Sequence, residues 1–407
     1  MKKVIFINRF FYPDQSATSQ ILSDLLFNIV DKIDLEMHVV ASQNTYLNDK
    51  QLAAYEKING VHVHRMWVTQ FGRANLIGRA FDYVSFYLST LIFALRLVKQ
   101  GDIVVAKTDP PVISFVVYLV TRLKNAKFIN WIQDLFPEVA AGLGMINNNA
   151  IHYKLLKKIK NISLISADMN VVIGSRMRDH LLKEGIEENK ISIVDNWSIN
   201  ESAQYISKTE NYLLNDWGLA NKFVIEYSGN FGRAHEYTVI EKLVDAYRQD
   251  DKVVFLFIGG GKYCEDLKQY VELNDIQNVM FKPYQDKSVL NYSLSLADMH
   301  IISLRKELEG LIVPSKFYGL ASIGAPILFI GDTDGEISRT LIKHDCGYTF
   351  LPDEVDKICL LIDGLKSGET TTNAKRLNLS RLYNSQYMPV NAYKKWMNIL
   401  EKINAVH

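Results

Sequence analysis

Short runs of apolar residues alternate along this chain with stretches in which apolar positions recur every three or four residues, and the rhythm is repeated in two halves. Apolar runs of three to six residues bounded by polar clusters predict strands at 4–7, 37–40, 61–66, 103–106, 128–132, 169–173 and 191–194 in the first half. In the second half they predict strands at 223–227, 253–258, 279–281, 299–302 and 326–329. Residues 20–30 and 239–247 carry helical spacing, and each follows the first strand of its half. Strands alternating with helices argue for an α/β chain whose parallel sheets are covered by helices on both faces. Two Rossmann-like domains are expected, at 1–197 and 198–387, with the boundary after Asn196-Trp197 where the pattern turns polar. A last amphipathic helix, at 391–403 within 388–407, is expected to return Tyr393 and Trp396 to the first domain.

Length agrees with two domains, since 407 residues exceed one ordinary core. Lys+Arg 46 against Asp+Glu 45 leaves a net charge of +1, so no global field drives the chain onto nucleic acid. Cys264, Cys346 and Cys359 have no metal-ligand spacing and are too scattered for a disulfide framework, which points to a reducing compartment. Residues 1–8 lack the long apolar region and cleavage site of an export signal, so a cytoplasmic location is expected. Residues 81–98 approach the length of a membrane span with only Asp82 and Arg96 charged. Their tyrosines, serines and internal aspartate fit a buried or interfacial helix better.

Candidate chemistry gathers in three places in the second half. Tyr227-Ser-Gly-Asn-Phe-Gly-Arg-Ala-His235 follows a strand and precedes a helix. Gly229, Asn230 and Gly232 let backbone N–H groups approach an anion, and Arg233 adds a bidentate donor. The same letters also spell a glycine turn with a solvated arginine. Ile258-Gly-Gly-Gly-Lys262, containing Gly260 and Gly261, repeats the strand–glycine–helix order on the same sheet edge, where open α/β sheets bind ligands. Neither is a dinucleotide fingerprint, and the first strand runs into Asn8-Arg-Phe-Phe-Tyr-Pro13 without one, which argues against a nicotinamide cofactor. Glu309, Gly310, Pro314, Ser315 and Lys316 form the third place. Pro314 suits a helix start, so Lys316 falls in the first turn, where free N–H groups favour an anion and a lysine opposes the dipole. A phosphate there would account for that lysine.

In the first half Asp134 follows the strand at 128–132, placed either to take a proton from a hydroxyl or to cap a helix, with Glu138 as the nearby alternative. His235 either meets a ligand or is structural. Asp332-Thr-Asp334 reads as loop or helix-cap acids, and no metal is expected. Lys154, Lys157, Lys158 and Lys160 lie beside apolar residues on one helix, and residues 73–79 are also basic. Such a face is either solvated or meets anionic lipid.

Taken in order, Phe11-Tyr-Pro13, Thr108-Asp-Pro-Pro111, Asp134-Leu-Phe-Pro-Glu138, Asp195-Asn-Trp197, Gly229-Asn-Phe-Gly-Arg233, Phe257-Ile-Gly-Gly-Gly261 and Pro314-Ser-Lys316 resemble the family-4 retaining glycosyltransferases. The likeness runs through most of the chain and is nearest to enzymes of O-antigen, capsule and colanic-acid synthesis, including N-acetylfucosaminyltransferases. It implies the GT-B fold, two Rossmann-like domains facing across a cleft. It also implies a nucleotide-diphosphate sugar donor, UDP-linked, with UDP-N-acetylfucosamine as one candidate, and a polyprenyl-diphosphate-linked saccharide acceptor at the cytosolic membrane face. Donor contacts then fall to Gly229, Asn230, Gly232, Arg233, Gly260, Gly261, Tyr284, Glu309, Gly310, Pro314, Ser315 and Lys316. Catalysis falls to Asp134, Arg233 and Lys316, and the acceptor side to Gln15, Ser16, Asp134 and Glu138. No cofactor or metal is implied. The chain departs from the pattern at the second glutamate of the family's Glu-x7-Glu motif, which is absent, and at the lysine after the Gly-Arg loop, whose place Lys316 is suited to take. Gln15-Ser-Ala-Thr18 also replaces the glycine pair of the first loop. A nucleotide-sugar epimerase on the same fold, or a non-catalytic nucleotide-sugar-binding partner, remain alternative readings.

Overall fold

The apolar runs assemble into two sheets in the computed structural model, which describes residues 2–45, 51–72, 76–200 and 203–405. The strands are β1 (Lys3–Ile7), β2 (Glu36–Ser42), β3 (Tyr55–Ile58), β4 (Val61–Met66), β5 (Ile103–Lys107), β6 (Lys127–Ile132), β7 (Met169–Val172), β8 (Ile191–Ile193), β9 (Phe223–Asn230), β10 (Val253–Gly260), β11 (Val279–Lys282), β12 (Met299–Ser303), β13 (Ile327–Ile330) and β14 (Tyr348–Phe350). Helices are α1 (Ala17–Ile29), α2 (Leu76–Leu97), α3 (Ile113–Lys124), α4 (Glu138–Gly142), α5 (Ile151–Ser166), α6 (Ser175–Lys183), α7 (Leu213–Asp216), α8 (Tyr237–Ala246), α9 (Lys262–Leu273), α10 (Leu290–Ser295), α11 (Lys316–Ser322), α12 (Glu336–Lys343), α13 (Val355–Ser367), α14 (Asn373–Leu382) and α15 (Pro389–Ala405). The chain divides into one unit of Met1–Ile199 with Pro389–His407 and another of Asn200–Met388.

In the first unit the strand order is β3-β4-β2-β1-β5-β6-β7-β8. Every pairing is parallel except β3 with β4. Side chains alternate across β1, so Val4 and Phe6 join one core while Ile5 and Ile7 join the other. The first core takes Leu22, Leu25 and Leu26 of α1 and Trp396 and Leu400 of α15. The second takes Phe86 and Ala94 of α2 and Val117 and Val120 of α3. The returning helix is fixed by Trp396, whose ring lies 4.6 Å from Trp131 and 6.0 Å from Phe6. Two hydrogen bonds donated to the Asp24 carboxylate, from Tyr393 Oη at 2.5 Å and Trp197 Nε1 at 2.6 Å, hold it further.

The second unit has the order β11-β10-β9-β12-β13-β14, parallel throughout. Ile225, Tyr227, Phe255 and Phe257 pack under α8, α9 and α13, and Val224, Leu256 and Ile258 pack on the opposite face. In each unit the strands step outward in both directions from the first one, β1 or β9, and that reversal opens a crevice at their carboxyl ends.

One residue breaks the apolar rule. Glu226, in the middle of β9, is fully buried, and neither carboxylate oxygen has a hydrogen-bond partner among the described residues. Burial pushes its carboxyl well above the usual range, so the acid is held neutral at a cost. A folded-state value raised above the unfolded one gives stability that is whole at low pH and declines as pH rises. Glu226→Met is therefore expected to stabilise the protein by about 1–3 kcal/mol at pH 8 and by less at pH 5, read by urea unfolding. An advantage absent at pH 8, or constant with pH, would mean that the carboxyl is satisfied.

Candidate functional site

The glycine-rich segments of the second unit are strand ends before they are loops. β9 runs through Ser228, Gly229 and Asn230, paired residue by residue with Ile258, Gly259 and Gly260 of β10. A Cβ on Gly259 would collide with the Gly229 carbonyl, and one on Gly261 with the Asn230 side chain. Glycine thus lets two strand ends and the following turn approach closely. The exposed ring of Tyr284 lies against Gly259 and Gly260.

Lys316 begins α11, as the Pro314 signal predicts. The first-turn amides Phe317 N and Tyr318 N, however, donate to Pro314 and Ser315 carbonyls, so they are not open to an anion. The side chain instead runs inward: its stem is partly exposed, but Nζ is buried and has no hydrogen-bond partner among the described residues. Nζ lies 3.4 Å from the centre of the Tyr227 ring, and a Cβ on Gly229 would stand 3.9 Å from it. Burial holds its ammonium well below the ordinary lysine range. The π-face of Tyr227 offsets only part of that desolvation. A buried amine with no carboxylate partner among the described residues is suited to an anion.

His235 completes the floor. Its Nδ1 donates to the Ser303 carbonyl at 2.6 Å, which ties the β9–α8 loop to the end of β12. Burial and then the charge of Lys316 lower its pKa to about 3, so it is a neutral, structural imidazole. Arg233 is exposed in the same loop and makes no hydrogen bond or ion pair with a described residue. Glu309 faces elsewhere: its carboxylate accepts the Glu336 N–H at 3.2 Å at the start of α12. That oxygen serves the start of α12, where a carboxylate is favoured by the helix dipole. Gly310 and Pro314 are buried beside it and Ser315 is exposed.

At the carboxyl ends of β1, β5 and β6 the first unit has its own crevice. Asp134 borders a small recess with Thr108, Pro111, Asn130 and Leu135. It does not cap α4, which starts four residues later behind Pro137 and has no side-chain cap. Its carboxylate is open to solvent and makes no hydrogen bond with a described residue. Desolvation and then repulsion from Asp109 push it up to about 6, against the pull of Lys107, and water reaching the group moderates that push. Lys107 itself was not singled out by the sequence, where it reads as the end of a strand. Its Nζ is buried 4.0 Å from the Trp131 ring centre and donates to the Thr18 carbonyl at 2.8 Å. Gln15 is exposed in the same crevice, and Ser16 donates through N and Oγ to Asp14 at 2.8 and 2.5 Å.

Glu138 is a correction. Its carboxylate is buried and bound by Lys160, with Lys157 4.0 Å away, so it offers no open base. Lys157 also pairs with Glu184 at 2.7 Å. Of the four lysines expected to face a membrane, only Lys154 and Lys158 are exposed. Of residues 73–79, those at 73–75 lie outside the described residues. Glu138, His180 and Glu184 each bring a ligand atom within 4.8 Å of the others, but Lys157 and Lys160 already neutralise the two carboxylates. Asp332 accepts the Asp334 N–H at 2.9 Å and Asp334 pairs with Arg339 at 2.8 Å, so the two acids serve their own loop.

No family model matches the chain. In sequence it is similar to the probable glycosyltransferase WbjE of Pseudomonas aeruginosa, 26% identical over 278 residues that span 67% of this chain and 68% of that protein. WcaI of Escherichia coli (strain K12), named for glycosyl transfer in colanic acid biosynthesis, is 22% identical over 225 residues, 54% of this chain and 55% of that protein. The structure resembles sucrose-phosphate synthase from Thermosynechococcus elongatus over the whole of both chains, with a TM-score of 0.79 and 11% identity. It resembles Anabaena HepE bound to UDP-glucose over 99% of this chain and 100% of that one, with a TM-score of 0.72 and 12% identity. The fold is therefore GT-B, with two Rossmann-like units and a C-terminal helix on the first.

Proposed function

We propose that this protein is a glycosyltransferase of surface polysaccharide synthesis, using a nucleotide-diphosphate sugar, UDP-linked, and a polyprenyl-diphosphate-linked saccharide as acceptor. The observation that carries the reading is the buried amine of Lys316, unpaired among the described residues, against the glycine strand ends of the second unit, with Arg233 exposed in the adjoining loop. Sequence similarity to WbjE and WcaI supports the reaction class, and the fold shared with HepE, whose structure holds UDP-glucose, supports the donor.

As the bond from the anomeric carbon to the diphosphate oxygen breaks, negative charge builds on the diphosphate. Lys316 and Arg233 are the groups suited to stabilise it. The acceptor hydroxyl forms the new bond to that carbon with retained configuration, and its proton passes to Asp134. Tyr284, lying on Gly259 and Gly260, offers an aromatic face to the base.

A thermal-shift screen of UDP, GDP, dTDP and CMP sugars, with UDP-N-acetylfucosamine included, tests this reading. A ligand at a hundred times its Kd adds about 2.7 kcal/mol, so a UDP-sugar is expected to raise the transition by several degrees. No response to any nucleotide would remove the donor site. A response without turnover on a lipid-linked acceptor would leave the epimerase or the binding protein instead.

A further inference from the structure

Arg9 carries a buried charge that its surroundings leave without hydrogen bonds. It stands two residues beyond β1, where its N–H donates to the Asp109 carbonyl and its carbonyl accepts the Ser42 N–H, both at 2.8 Å. Those bonds fix its backbone between the carboxyl ends of β5 and β2. The side chain is 10% exposed, and its guanidinium carbon lies 5.1 Å from the centre of the Phe10 ring and 5.0 Å from that of Tyr83. The guanidinium makes no hydrogen bond with a described residue, and its Nε is buried without one. Asp82 stands 3.8 Å from Nη2, beyond hydrogen-bond reach. Its carboxylate serves the loop before α2 instead, accepting from Thr69 Oγ1 at 2.8 Å, Phe71 N at 3.1 Å and Gly72 N at 3.3 Å. Contact with two rings offsets only part of the desolvation of a guanidinium, which keeps its charge when buried. Such a fork suits an oxyanion met by two parallel N–H bonds.

The same crevice holds Asp134. Tyr83 lies beside Tyr87, with ring centres 6.5 Å apart. The Tyr87 hydroxyl donates to the Pro111 carbonyl, and Pro111 borders the Asp134 recess. β5 lies between β1 and β6, so the strand ends that carry Arg9 and Asp134 stand about 10 Å apart, at two strand spacings. One ligand can therefore reach both, with a hydroxyl at Asp134 and an oxyanion at Arg9. The loop that Asp82 holds also carries Phe71, whose ring centre is 5.6 Å from that of Phe81. Both rings are more than half exposed and offer apolar surface to a hydrocarbon chain.

We propose that Arg9 binds the diphosphate of the lipid-linked acceptor, with the Phe71 and Phe81 pair meeting the first isoprene units. The site rests on the transfer reading, but it is distinct from the donor diphosphate at Lys316. An acidic sugar would also suit the fork, yet it would leave the apolar pair unused.

The test is calorimetry of the full chain with farnesyl diphosphate in saturating UDP, which fills the donor cradle. UDP binding is measured first, so that its absence fails the donor reading by itself. The parent is expected to bind farnesyl diphosphate, with inorganic pyrophosphate competing and farnesol binding at least tenfold more weakly. Arg9→Met should weaken farnesyl diphosphate at least tenfold and leave UDP affinity unchanged. Arg9→Lys, which keeps the charge and loses the fork, should cost a few-fold, and it serves as the reading if the methionine variant proves unstable. Phe71→Ser with Phe81→Ser should cost a few-fold with farnesyl diphosphate and nothing with pyrophosphate. In turnover, Arg9→Met should raise the acceptor KM and leave the donor KM alone, a split that a merely structural arginine would not give. A parent that fails to bind farnesyl diphosphate overturns the proposal, as do Arg9 variants that bind it like the parent. A fall in UDP affinity with Arg9→Met would assign the arginine to the donor, and competition by glucuronate but not by pyrophosphate would assign it to an acidic sugar; either result overturns the proposal.

Discussion

Replacing Lys316 with alanine is expected to lower sugar transfer at least a hundredfold while leaving the fold intact. The amine is buried with no counter-charge among the described residues and rests on the Tyr227 ring beside Gly229. In the free protein burial pushes the ammonium well below its ordinary range, which favours the neutral form. A diphosphate placed there restores the charge, because the anion favours the protonated form. Binding should therefore take up a proton, and UDP affinity should fall as pH rises above the depressed value. Calorimetry in two buffers of different ionisation enthalpy reads that uptake directly, and Lys316→Ala should abolish it. Loss of one preorganised cation from a leaving group costs about 10²–10³ in turnover. Lys316→Arg should recover only part, since a planar fork does not fit the space of a point charge. Removing a buried unpaired amine also ends a desolvation penalty, so the alanine variant should be no less stable than its parent. An alanine variant with near-parental turnover and unchanged proton uptake would detach Lys316 from the donor.

How much of this was legible beforehand follows from which contacts are local. β1 and β9 were plain because both faces of a central parallel strand are buried, giving short apolar runs. β3 and β14 escaped notice for the opposite reason. Tyr55-Glu-Lys-Ile58 is an edge strand with a half-solvated, polar pattern, and Tyr348-Thr-Phe350 has only three residues. Pro314 correctly marked the start of α11, yet nothing local says that the Lys316 side chain turns back onto β9. That path depends on a tyrosine almost ninety residues earlier in the chain. Lys157 and Lys160 illustrate the same limit. Sequence groups them with Lys154 and Lys158, and only the tertiary position of Glu138 and Glu184 separates the paired lysines from the exposed ones. Gly229 reads in the sequence as a place where backbone N–H groups approach an anion; that Gly259 and Gly261 also let the ends of β9 and β10 and the following turn approach closely is visible only in the pairing of the two strands.

Asp134→Asn is the second large effect expected, a loss of turnover of about a hundredfold or more with the donor KM little changed. Asparagine keeps the size and polarity of the side chain but cannot accept the proton of an attacking hydroxyl. A purely structural part for Asp134 has little support in its surroundings. The carboxylate caps no helix, makes no hydrogen bond with a described residue and opens to solvent beside the Thr108–Asn130 recess. Its carboxyl is pushed up to about 6 by desolvation and by Asp109, close to the pH at which a base both ionises and accepts a proton well. The sign follows from the base being active only when ionised. kcat/KM should therefore rise with pH and level off above an apparent value near 6. Asp109→Asn, by removing the repulsion, should shift that midpoint downward, and Lys107→Met, by removing a cation that favours the ionised form, should shift it upward. A merely structural aspartate would not move the profile in two opposite directions. Parental turnover in Asp134→Asn, or a midpoint indifferent to both neighbours, would take the proton transfer away from this residue.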